Sequence, residues 1–323
     1  MVSNEILRKY AKLAVCTGVN VQKGQLLVIT SAVDIAYFTR MCVEEAYKAG
    51  AGEVLVNWSD EAVTKLAYQN ESTETLADIA PWKLEQKKNC IDKKCCFLYI
   101  ESNTPGLLAN IDGKKLQTVR IAMETAFEKF EYYTMANIGQ WSIVAIPTIP
   151  WAKKAFPDLD DEKALEKLWN AVLMSVRVSE SNDPIEEWKQ HNENLEHYCT
   201  LLNDYKFKSL HFKNSMGTDL KVELIRDHVW AAGSEIAKNG ARFNPNMPTE
   251  EAFTMPYKYG VDGRVYATKP LSYQGKLIEN FYLDFKDGKV VGYFAEKGEE
   301  TLKNLLDFDE NSRYLGEVAL IPY

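Results

Sequence analysis

Apolar residues recur at three- and four-residue spacing through Ile6, Leu7, Tyr10, Ala11, Ala14 and Val15, which predicts an amphipathic helix over residues 3–17 closing at Gly18. The next run has no such period. Leu26-Leu27-Val28-Ile29 is apolar without interruption, the mark of a short strand buried on both faces. A helix over about 33–48 follows and ends at Gly50. Strand runs recur at Glu53-Val54-Leu55-Val56, Cys96-Phe97-Leu98-Tyr99-Ile100 and Ile143-Val144-Ala145-Ile146, with helical segments between them. Strands of this kind alternating with helices imply a parallel sheet covered on two sides, a doubly wound α/β domain.

Asp158 to Asp161 open a helix that carries Leu165, Leu168, Trp169, Val172 and Val176 on one face. Ser181-Asn182-Asp183-Pro184 opens another, through Ile185, Trp188, Leu195 and Leu202, with proline where a first turn tolerates it. The domain boundary is placed there, giving a doubly wound domain over 1–183 and a sheet-rich α+β domain over 184–323. After residue 207 the pattern changes to hairpins: Leu210-His211-Phe212, the alternating Leu220-Lys221-Val222-Glu223-Leu224, and Phe281 to Phe285 joined to Val290-Val291 across Asp287-Gly288. Asp-Gly between alternating apolar runs is a strong hairpin signal. A helix is expected at about 298–306.

Composition narrows the function classes. The 323 residues suffice for two cores, and the net charge of −8 argues against a nucleic-acid partner, which needs clustered Lys and Arg. Lys87-Lys88 and Lys93-Lys94 are too short to change that and read as solvated helix ends or loops. No stretch reaches the length of a membrane span, and the N-terminal residues lack the pattern of a signal peptide, so no membrane partner and a cytoplasmic address are expected. Cys16, Cys42, Cys90, Cys95, Cys96 and Cys199 have neither disulfide-framework density nor Cys-x-x-Cys spacing and read as reduced thiols. Cys95 and Cys96 open a strand, so their side chains should point to opposite faces.

The candidate chemistry is acidic. Asn244-Pro245-Asn246-Met247-Pro248-Thr249-Glu250-Glu251 sets two carboxylates on a loop stiffened by two prolines. Glu317 opens the apolar run Val318-Ala319-Leu320-Ile321 after Gly316, and a charge beside such a strand is costly unless something compensates it, a metal ion being one choice. From the residues alone, a solvated turn and a strand-end charge explain these glutamates equally well. His191, His197, His211 and His228 show no i, i+4 pairing and read as structural. Thr30-Ser31-Ala32-Val33-Asp34, after the first strand, lacks the glycines of a phosphate-binding turn, so a nucleotide is not expected. No Gly-x-Ser-x-Gly elbow supports a nucleophilic hydrolase. Tyr273 and Gln274 could line a substrate pocket or simply make a hairpin turn.

Six phrases carry a resemblance that spans the chain from end to end: His211-Phe212-Lys213, Gly217 to Leu220, Phe243 to Glu251, Ala267 to Gly275, Glu296 to Glu300, and Leu315 to Pro322. Through them the chain resembles the aminopeptidase T family of metallopeptidases. The resemblance implies a two-domain α/β fold, a homodimer, a peptide substrate, and two divalent metal ions (zinc, cobalt or similar) that activate a water to remove N-terminal residues. It implies that Glu251 and Glu317 are metal ligands close in space; Glu250 does not carry over as one. In the family, a segment after the Gly-Glu-Val strand supplies a His, a Tyr and a His-x-Asp pair to the same site, whereas the sequence here ends at Tyr323. The second domain is therefore expected to be incomplete and the remaining catalytic residues to lie beyond Tyr323, and a non-catalytic binding or dimerisation scaffold is the alternative reading.

Overall fold

The run from Leu26 folds as β1 (Leu26–Ala32), paired with a parallel strand on each edge and buried along nearly its whole length because a core packs on each of its faces. The computed structural model describes residues 2–273 and 276–321; Gln274 and Gly275, Pro322 at the end of the Leu315 to Pro322 phrase, and Tyr323 lie outside them. By internal contacts the chain divides into two units, Met1–Asn192 with Gly233–Thr249, and Glu193–Ala232 with Glu250–Tyr323. The first change of unit lies after Asn192, and the segment 233–249 returns to the first unit.

The first unit contains α1 (Asn4–Leu13), β1, α2 (Ala36–Lys48), β2 (Glu53–Ser59), α3 (Glu61–Asn70), α4 (Thr73–Ala77), α5 (Pro81–Asp92), β3 (Cys96–Glu101), α6 (Gly113–Met135), β4 (Trp141–Ala145), α7 (Ile149–Ala155) and α8 (Asp161–Ser175). The division falls inside the next helix, α9 (Pro184–Tyr205). The four strands are parallel in the order β2-β1-β3-β4, so the crossovers leave β1 in both directions, as a doubly wound sheet requires. Strand alternation separates the cores. Leu27, Ile29, Cys96, Leu98 and Ile100 pack on one face with Tyr10, Phe38 and Trp188, while Leu26, Val28, Cys95 and Phe97 pack on the other with Cys90 and Tyr133. Cys95 and Cys96 therefore do face opposite ways.

Local signals act as read. Ser3 accepts the N–H of Ile6 at the start of α1, whose stripe buries Leu7, Tyr10 and Ala11 before the helix widens into a π-turn over Ala14–Gly18. Asp160 accepts the N–H of Lys163 to cap α8, and Asp183 accepts that of Ile185 ahead of Pro184. Each cap satisfies an N–H that has no partner inside its helix.

Two short strands, β7 (Ala231–Ala232) and β8 (Glu235–Ile236), come next, then β9 (Arg242–Phe243) and β10 (Ala252–Thr254). Of these, β8 and β9 belong to the segment that returns to the first unit, and the second unit holds β7 and β10 with β5 (Ser209–Lys213), β6 (Asp219–Leu224), β11 (Pro256–Tyr266), β12 (Leu271–Tyr273), β13 (Lys276–Lys286), β14 (Lys289–Lys297), α10 (Glu299–Leu306) and β15 (Val318–Leu320). Its larger sheet runs β12-β13-β11-β6-β5, with β14 also paired to β13, over a core of Val222, Val261, Ile278, Phe285, Leu302 and Trp230. The hairpin predicted at Asp287-Gly288 is present, with φ of 49° and 81° at the two residues. Glycine is required there for space as well, since a Cβ on Gly288 would lie 1.8 Å from the carbonyl oxygen of Lys258. A smaller sheet, β15-β10-β7, carries the two glutamates of interest.

Candidate metal centre

The loop that leads to Glu251 is held by the first unit up to Thr249. Asn244 is buried with every polar atom engaged: its N–H donates to Gly18 O at 2.8 Å, its carbonyl accepts from Ser142 Oγ at 2.8 Å, and its amide exchanges two hydrogen bonds with that of Asn192. The segment then runs parallel along the edge of β4. Ile143 N–H donates to Pro245 O at 2.8 Å and Met247 N–H to Ile143 O at 3.0 Å. Pro245 lacks an N–H, which costs nothing on the outer side of an edge. Met247 buries its side chain in the main core, the Met247–Pro248 peptide is cis, and His191 Nε2 lies 2.7 Å from Thr249 O. A Cβ on Gly18 would come within 2.8 Å of Ser142 Oγ and 2.9 Å of Met247 Sδ, so only glycine lets the segment approach this closely.

At Glu250 the chain enters the second unit, and Glu251 immediately precedes β10. Glu317 immediately precedes β15. The two strands pair antiparallel, Ala252 opposite Leu320 and Thr254 opposite Val318, which sets the glutamates at opposite ends of a three-residue ladder. Ala252, Thr254 and Val318 are buried. Alternation turns Phe253 and Ala319, which pair with each other, to the other face of this sheet. Glu251 is half-buried and Glu317 exposed. The two glutamates that the resemblance singles out thus lie beside the paired strands of one small sheet, one at each end of the ladder.

Burial, and then the charge of Glu251, hold the Glu317 carboxyl above its ordinary value of 4.5. In metal-free protein its ionised form is therefore less favoured in the folded chain than in the unfolded one. Stability linked to this group is full below the unfolded value, where both states hold the proton, and falls as pH rises through the unfolded and then the folded value. Glu317→Gln cannot ionise. With chelator present it is expected to melt above the parent protein at pH 7 and together with it near ~pH 3, below the ordinary carboxylate range. Equal midpoints in calorimetry at pH 7 would show that the carboxylate is not destabilised in the fold.

Carboxylate oxygens are the donors that hard divalent cations take. Neither histidine nor cysteine joins them. Among the described residues no group of three or more His, Cys, Asp or Glu comes together to hold an ion. The histidines have local partners: His211 Nε2 lies 2.6 Å from Asp219 Oδ1 across the β5–β6 hairpin, and His228 Nδ1 lies 3.1 Å from Ile225 O. Tyr273 pairs with Lys276 to close the β12–β13 hairpin and packs on the second unit's core. Asn192, Ser142 and Gly18, which hold Asn244 on the way to Glu251, are missed by sequence reasoning, since nothing local marks a residue whose partner is far along the chain.

A doubly wound parallel sheet followed by a sheet-rich unit leaves many hydrolase classes open, and comparison with known proteins makes the class specific. Residues 3–323 match the thermophilic metalloprotease (M29) family, and the chain belongs to it. It is 41% identical over 317 residues to aminopeptidase AmpS of Bacillus subtilis, covering 98% of this chain and 77% of that one, and 36% identical over 321 residues to aminopeptidase T of Thermus aquaticus, covering 98% and 78%. The solved structure of wild-type AmpT from Thermus thermophilus superposes with a TM-score of 0.91 at 34% identity, over 98% of this chain and 78% of that one. The protein is a peptidase of a metal-dependent family, with the two-part α/β and sheet-rich fold expected of it. The scaffold reading is not favoured. Among the described residues no helix is long and apolar enough to cross a membrane.

Proposed function

We propose that this chain is an aminopeptidase that removes N-terminal residues from peptides, with Glu251 and Glu317 as two of the ligands of a two-ion centre. The observation that supports the site assignment is the pairing of β10 with β15, the two strands that Glu251 and Glu317 immediately precede. The aminopeptidases it resembles over 98% of its length supply the reaction class. Two divalent ions, when bound, would supply Lewis acidity toward the scissile carbonyl and an activated water.

The chain's own part is to hold donors in place. Glu251 is fixed through β10, whose buried Thr254 donates from Oγ1 to Val229 O at 2.9 Å. Glu317 is fixed through β15, whose Val318 is buried in the second unit's core. The family resemblance assigns the further donors, a His, a Tyr and a His-x-Asp pair, to sequence that follows the Gly-Glu-Val strand. The same resemblance supports a homodimer, and free thiols at all six cysteines support a reducing, cytoplasmic setting. Exposed Met255, Tyr257 and Tyr259 on the second unit offer apolar surface for such self-association.

Two carboxylates hold a divalent ion weakly, so the 323 residues by themselves are expected to bind zinc or cobalt weakly and to turn over a leucyl chromogenic amide slowly or not at all. A protein in which the family's His, Tyr and His-x-Asp segment follows β15 is expected to cleave that amide, to stop when chelator is added, and to leave the N-acetylated amide intact. Cleavage that survives chelation, or that accepts the acetylated substrate equally well, would overturn the reading.

A further inference from the structure

The corner between α5 and β3 carries two cysteines in an arrangement that the peptidase reading leaves unused. α5 ends in a left-handed cap: Lys94 has φ of 53°, its N–H donates to Ile91 O at 3.0 Å, and the N–H of Cys95 donates to Cys90 O at 3.1 Å. These two bonds make a Schellman motif. The motif folds the chain so that the residue just past the left-handed position meets a residue in the last turn of the helix, a contact usually made by two apolar side chains. Here both positions are cysteine, and the motif brings the two side chains into one small core. Cys90 is 2% and Cys95 0% exposed, in a small core with Phe97 and Tyr133. Cys96 is adjacent in sequence but points to the opposite face, where its Sγ lies 3.7 Å from Leu26 O.

The surroundings favour a nucleophile at Cys90. Lys87, one turn earlier on α5, holds its Nζ 3.9 Å from the centre of the Phe130 ring and 5.7 Å from that of Phe97. The hydrogen bond from Cys95 holds Cys90 down to about 7, against burial and with help from the charges of Lys87 and Lys93. Cys95, which shares its proton with that neighbour, is pushed up. A thiolate beside a protonated second thiol is the arrangement in which an oxidised first sulfur is resolved by the second. Access comes from α5 itself. Cys90 is its one fully buried residue, so the helix is thinly packed and its local opening admits a small oxidant.

We propose that Cys90 and Cys95 are a modification site for peroxide, at which the two thiols close into a reversible disulfide. The Cys90 thiolate attacks one oxygen of hydrogen peroxide, the O–O bond breaks, and the departing hydroxide takes up a proton as water, leaving Cys90 as a sulfenic acid. The Cys95 sulfur then attacks Cys90 Sγ, the S–O bond breaks, and the hydroxide leaves as water with the Cys95 proton. Two thiols and one peroxide give one disulfide and two waters, and a dithiol reductant reverses the change. The inference does not depend on the metal site.

The test uses the native 323-residue chain exposed to millimolar hydrogen peroxide, then denatured in an alkylating agent so that the remaining thiols can be counted. Loss of two of the six thiols is expected, with recovery of all six after dithiothreitol. Trypsin cuts after Lys93 and Lys94, so the disulfide should appear by mass spectrometry as the fragment Asn89–Lys93 linked to the fragment that begins at Cys95. Cys96→Ser should form the same link, and Cys90→Ser and Cys95→Ser should form none. Six reactive thiols after peroxide, a link made through Cys96, loss of thiols without a link, or a link that forms only in denaturant would each overturn the proposal.

Discussion

Glu317→Gln in the metal-loaded peptidase is expected to lower kcat/KM for a leucyl amide by at least ~100-fold, with a similar loss for Glu251→Gln. The reasoning starts from what an amide keeps. Glutamine has the shape of glutamate and its carbonyl oxygen, but not the charge that holds a divalent ion. Changes to residues that merely orient ligands already cost about 10–100-fold in affinity or activity, so removing a ligand should cost no less. The two substitutions should also fail to multiply, because residues that serve one centre act as a unit. Steady-state kinetics on both single variants and the double variant, with bound metal measured alongside, decide the matter. Full metal content with unchanged kcat/KM in either variant would remove that glutamate from the centre, whatever its place on the sheet.

The largest expected effect on folding comes from Trp188→Ala. Trp188 is completely buried on the α1–α2 side of the parallel sheet, its Nε1 donates to Val176 O at 2.8 Å, and the His191 ring meets it edge-on at 5.4 Å. Truncation leaves a cavity worth about 3–5 kcal/mol and strands a buried carbonyl at roughly a further 1 kcal/mol. That is a large part of the roughly 5–15 kcal/mol by which domains are stable. The loss should appear in the urea transition of the first unit, followed by a probe of the parallel-sheet core because two units need not unfold together. Trp188→Phe fills most of the volume and should cost much less. A loss under about 1 kcal/mol for the alanine variant would mean that the core closes over the gap.

The parallel sheet is legible in the sequence because a strand flanked on both faces must be apolar at every position, and Leu26 to Ile29 and Cys96 to Ile100 are. Asp287-Gly288 is legible for a different reason, since the backbone angles of that turn exclude almost every other pair. What stays hidden depends on distant partners. Asn244 reads as one more polar loop residue until Asn192, Ser142 and Gly18 stand around it. β10 and β15 are three residues each, too short to show a period, so their pairing, and with it the position of Glu251 and Glu317 at the two ends of one ladder, cannot be read from the pattern of either strand. The family phrases supplied those two positions, and composition alone left them as a turn and a strand end.

The return of Gly233–Thr249 to the first unit bears on the order in which the protein can be made. As the chain leaves the ribosome, the parallel sheet and its helices are complete in sequence by Asn192, yet the edge of β4 still lacks its partner and the main core still lacks Met247. Translation at about 5–20 residues per second separates Asn192 from Thr249 by several seconds. During that interval a nascent chain holds an open strand edge and the pocket that Met247 will fill. A holdase that shields strand edges should therefore matter most while the 57 residues from 192 to 249 are being synthesised (249 − 192), and a stall placed within them should yield a first unit more readily digested than one released after Thr249.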